Sequence, residues 1–141
     1  MEQPIEDLMR GNVAEVKVVL ATVVVALAVY QVLLAATAYG WLKPPFLSAA
    51  SASWAHRASG DAILVLTVVV AATCISFYGF GEGGAHTVAG CVLLGLIGTK
   101  VLAVRLGGSL GRLLPVLGVS VLVAFAVTWL TSAGDFLGVL G

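Results

Sequence analysis

Few residues in this chain could do chemistry. His56 and His86, Cys74 and Cys91, and Lys100 deep in an apolar run are the main ones, with Gln31, Arg57 and Arg105 beside them. Imidazoles projecting from neighbouring helices can hold a haem b between them. Paired thiols can bridge, take part in metal or redox chemistry, or simply fill space as small buried side chains. No Gly-x-Ser-x-Gly elbow, phosphate loop, dinucleotide fingerprint or paired carboxylates occurs, so the chain carries no catalytic signature of its own. The Gly81–Gly84 cluster lacks the second element of a nucleotide site and reads as a tight turn.

What must position these residues is a set of membrane helices. Apolar residues make up 60% of the chain and charged ones 10%, against about 45–50% and about 25% in soluble domains. A bilayer offers the backbone no water, so a crossing segment must be a helix of about 20 mostly apolar residues. Runs of that kind occupy about 17–39, 54–80, 85–105 and 112–132, between an N-terminal tail 1–16 and a C-terminal tail 134–141. The expected fold is therefore all-α, an integral membrane four-helix bundle with up-and-down topology. Gly40, Pro44 and Pro45 end the first run because proline cannot continue the helical ladder. Pro115 falls in the first turn of the fourth, where its missing N–H costs little. The stretch Ile5–Met9 is weakly amphipathic and fits a tail better than an interfacial helix.

Charge sets the expected orientation. Five of the seven basic residues, Lys43, Arg57, Lys100, Arg105 and Arg112, fall on the side of the loops joining spans 1–2 and 3–4. Basic loops stay in the cytoplasm, so both termini and the Gly-rich turn are expected outside a cell membrane. The net charge is zero, which gives no field for nucleic acid; the expected partners are the lipid bilayer and other membrane subunits or a second copy.

Depth constrains the histidines. His56 opens span 2 and His86 opens span 3 from the opposite face, so the length of span 2, about 35 Å at helical rise, separates them. One haem cannot sit between both within that hairpin. A haem on either would need another kind of second ligand, a five-coordinate iron or a partner subunit. Otherwise each is an interfacial histidine bonded to water, headgroups or a neighbouring helix. Cys74 and Cys91 fall at equal depth and read first as packing residues. Alanines at heptad spacing (Ala21, Ala28, Ala35) share a side with Gln31, which reads as an inter-helix tether, since small residues admit close approach and one amide can bond across it. Lys100 snorkels to the cytoplasmic surface or pairs within the bundle, with Gln31 or an anionic ligand. Asp61 lies one turn after Arg57 as a local ion pair, and Arg105 and Arg112 meet anionic headgroups.

Two resemblances add to this reading. His56-Arg57-Ala58-Ser59-Gly60 looks like the His-Arg-x-x-Gly of some cytochrome b-type helices, in which the glycine makes room for a porphyrin. More broadly, His56-Arg57-x-x-Gly60, Cys74 with Tyr78-Gly79, His86-x-x-x-Gly90, Lys100-Val101-Leu102-x-Val104-Arg105, Leu114-Pro115-x-x-Gly118 and Trp129-x-Thr131-Ser132-Ala133 together resemble a family of small bacterial four-span membrane proteins of unknown function. That likeness implies a four-helix fold and no catalytic residues. Members often carry a histidine just before the span 2 cysteine, where this chain has Thr73, so one candidate ligand is missing. The likeness favours electron transfer. Three functions follow in order: a redox-associated, b-type cytochrome-like subunit; a non-catalytic anchor or accessory subunit; and a small transporter. The last is disfavoured by few intramembrane charges, no broken helix pair and no inverted repeat.

Overall fold

A computed structural model describes residues 13–79, 84–134 and 137–138 of the protein. The Ile5–Met9 stretch and the turn at 80–83 lie outside them. Four helices follow one another: α1 (Val13–Ala38), α2 (Ala49–Tyr78), α3 (Ala85–Leu106) and α4 (Leu114–Trp129). A 3-10 helix, Gly108–Leu113, leads into α4, and a π turn, Leu130–Gly134, finishes it. The segments Glu15–Ala38, Ala49–Phe77, Ala85–Leu106 and Gly108–Ala133 are each long and apolar enough to cross a membrane. The protein is an all-α four-helix bundle of polytopic membrane type.

Local chemistry sets the helix ends. Gly40 takes a φ of 77°, a left-handed conformation that costs glycine little and other residues more. It lets Trp41 N–H return to the Ala36 carbonyl at 2.9 Å and close the α1 C-terminus. Ser48 caps α2: its hydroxyl accepts from the Ser51 N–H at 3.2 Å. The helix therefore starts at Ala49, ahead of the apolar run from Trp54, because an alanine-rich stretch behind a serine cap is a good helix start.

The helices pack in a ring that does not close. α1 contacts both α2 and α4, and α3 contacts α4, while α2 and α3, consecutive in the chain, have no comparable contact among the described residues. This leaves a seam between them. Val24, Ala28, Ile63, Leu93, Val121, Ala124 and Phe125 form the core, and Leu34 is the largest side chain fully covered. Valines point away from the core on every helix, with Val65 63% and Val116 64% exposed. Apolar surface this extensive on the outside is matched by lipid.

Candidate functional site: two polar centres and a cavity on the seam

The polar side chains gather at two levels of the bundle. The first lies toward the end where α1 finishes and α2 begins. Gln31 is 6% exposed, and its Nε2 donates to the His56 carbonyl at 2.6 Å and to Ser59 Oγ at 2.7 Å. The His56 ring answers: Nδ1 donates to the Gln31 carbonyl at 3.1 Å. Side chain to backbone in both directions makes a clasp between α1 and α2. Gly60 faces it, and a Cβ there would lie in van der Waals contact with the Gln31 amide nitrogen, at 3.4 Å. The carboxamide occupies the room over Gly60 that a porphyrin would need. Gln31 Oε1 is buried without a hydrogen-bond partner. Lys100, half-buried, lies within electrostatic reach of His56, while Arg57, Arg105 and Arg112 are exposed.

The second level lies where α3 begins and α4 ends. His86 Nδ1 is 3.2 Å from Thr131 Oγ1. Thr131 sits in the π turn and gives its single hydroxyl proton to the Val127 and Thr128 carbonyls, both at 3.0 Å. With that proton turned to the carbonyls, Thr131 Oγ1 is placed to accept from His86, an arrangement that goes with the tautomer protonated at Nδ1. In a neutral imidazole the other nitrogen, Nε2, is then a bare acceptor. The Thr128 backbone is a further hydrogen-bonding neighbour of the ring, and Lys17 of α1 lies within electrostatic reach of it. Trp129 Nε1 donates to Thr22 Oγ1 at 3.0 Å, tying α4 to α1 at this level.

Beside His86, the seam widens into a cavity of about 370 Å³. Lys17, His86, Thr128, Thr131 and Ser132 line one end, and Val24, Val70, Leu93 and Phe125 lie deeper. Cys74 and Cys91 face it from α2 and α3, and both are free thiols. The two cysteines thus line two walls of one cavity. The rest of the Cys91 stripe, Gly95 and Gly98, is exposed, and nothing lies within 4 Å of a Cβ built at either glycine.

The histidines stand far apart. His56 is fixed to Gln31, and His86 lies near Lys17, fourteen residues earlier on α1, or about 21 Å along the helix. Thr131 enters the sequence reading only as part of the family-like string and with no role, because a threonine in the last turn of an apolar helix usually bonds its own backbone. The adjoining π turn, a feature frequent at functional sites, has no sequence signature that would have flagged it.

No curated protein and no solved structure matches the chain. A family model described as a family of unknown function, DUF6529, matches residues 4–141. The match covers all four helices and both polar levels, and the chain belongs to that family.

Proposed function

We propose that the protein is a redox-associated membrane subunit whose working part is the seam cavity beside His86. One observation carries the reading: an imidazole oriented by a π-turn threonine lines a cavity within an apolar bundle. Orientation of one ring nitrogen by a hydrogen bond on the other is how proteins ready a histidine to receive a ligand. His56 serves the clasp instead, with its Nδ1 given to α1 and the space over Gly60 filled.

Bis-imidazole ligation of a haem b does not fit, because His56 is bonded to Gln31 while His86 is bonded to Thr131 of the π turn, within electrostatic reach of Lys17, about 21 Å from Gln31 along α1. His86 offers one nitrogen, and among the described residues no group of three or more His, Cys, Asp or Glu could hold a metal ion. The redox association is therefore assigned to the cavity and to partner subunits, not to a haem held between His56 and His86. The chain acts as a subunit, with no catalytic residue of its own, in a cell membrane with its basic loops in the cytoplasm.

Gentle solubilisation of native membranes followed by affinity purification tests this. Oxidoreductase subunits co-purifying in fixed ratio, with a reduced-minus-oxidised absorbance signal, are expected. Recovery of the chain with no redox-active component refutes the reading. One observation favours a second reading, a non-catalytic anchor: the exposed Gly95 and Gly98 of α3 suit close approach of another helix. Gly95→Leu would then release the partner, whereas His86→Ala would not.

A further inference from the structure

The two ends of the seam cavity differ in chemistry. Its polar end holds His86, Thr131, Ser132 and Lys17, where α3 starts and α4 stops. From there its lining runs from Lys17 to Val25 on α1 and from Gly79 to Thr67 on α2, about 12 Å and about 18 Å of helix. Its deeper lining is mainly valine, leucine and Phe125. The flanking helices α2 and α3 do not pack against each other as the other neighbours do, and both show valines to the lipid side. A ligand that fits has a compact polar head, an apolar body and a tail that can leave sideways into the bilayer.

The head group is narrowed by the hydrogen bonding. Thr131 has spent its proton on the Val127 and Thr128 carbonyls and accepts from His86 Nδ1. His86 Nε2 is then an acceptor without a proton, and it suits a hydroxyl better than a carbonyl. Trp129 Nε1 is already given to Thr22, so it is not a donor to the head. We propose that the seam cavity binds the hydroquinone head of an isoprenoid quinol, with His86 Nε2 accepting from one ring hydroxyl and the isoprenoid tail passing between α2 and α3. The proposal rests on the redox-associated reading and names the ligand class of that same site. It concerns binding alone: the oxidised quinone presents carbonyl oxygens to an acceptor nitrogen and binds less tightly.

The test uses the full chain in phosphatidylcholine nanodiscs under anaerobic conditions, with reduced and oxidised menaquinone-1 as probes. Bound probe is quantified against empty nanodiscs. One quinol per chain is expected, bound about five- to tenfold more tightly than the quinone, the factor that one hydrogen bond supplies. His86→Ala removes that preference. Gly90→Leu, which places a side chain into the cavity one turn from His86, from a position with open space around it, removes binding of both forms. Equal affinity for the two forms, binding unchanged by both substitutions, a haem absorbance band, or a phospholipid retained in place of the probe each overturns the site. Quinol binding without any oxidoreductase partner refutes the subunit reading and leaves the site. An oxidoreductase partner without quinol binding does the reverse.

Discussion

At the scale of single residues, the two histidines look alike in sequence and do different work. His56 and Gln31 exchange side chain-to-backbone bonds across α1 and α2. A buried amide in lipid has no water to fall back on, yet such bonds are worth only about 0.5–2 kcal/mol each. Gln31→Ala should lower thermal stability in detergent by about 1–2 kcal/mol, measured by the unfolding midpoint, and leave the His86 cavity intact. Gly60→Leu should cost as much or more, because its side chain must displace the Gln31 amide. A midpoint unchanged by both would mean the clasp is not formed. Thr131→Val is expected to spare the fold and weaken quinol discrimination, since it frees His86 to rotate.

Gln31 was legible as a tether because one amide in an apolar run must find a partner. Its partner was not legible, since the His56 carbonyl is backbone and carries no sequence signal. Lys100 is a possible partner for Gln31 by sequence, but the Gln31 Oε1 that an ammonium would reach has no hydrogen-bond partner. What stands over Gly60 is the Gln31 carboxamide, at van der Waals distance from a Cβ built there.

At the scale of elements, the four helices were legible from apolar length alone. Their starts depended on caps. Ser48 opens α2 in a stretch whose serines, alanines and prolines read as loop. Ser48→Ala should cost about 1 kcal/mol and fray the first turn of α2, seen as faster amide exchange over 49–53 with the clasp at His56 preserved. What could not be read was the order of neighbours. Helices that are apolar all round have no polar face to show which side is inward, so chain order suggested a packed α2–α3 hairpin. In the structure α1 and α4 hold the centre, and the α2–α3 seam stays open.

At the scale of the whole molecule, the bundle separates a basic end from the end that carries the cavity. Lys43, Arg57, Lys100, Arg105 and Arg112 mark the first, and lysine and arginine bias sets orientation through the cytoplasmic loops. With Cys74 and Cys91 replaced by alanine, Ser109→Cys should resist a membrane-impermeant maleimide in intact cells, and Gly138→Cys should react. The reverse pattern would invert the topology and put the cavity in the inner leaflet. The open seam also gives the bundle a side door to lipid, which a closed four-helix ring lacks.

The account turns on the state of one imidazole, and nitrogen-15 NMR of histidine-labelled protein in nanodiscs reads it directly. The signal lost in His86→Ala should show a protonated Nδ1 and a bare Nε2, and the Nε2 resonance should move upfield when menaquinol-1 is added. A proton on Nε2 in the free protein, or a resonance indifferent to the quinol, would contradict it.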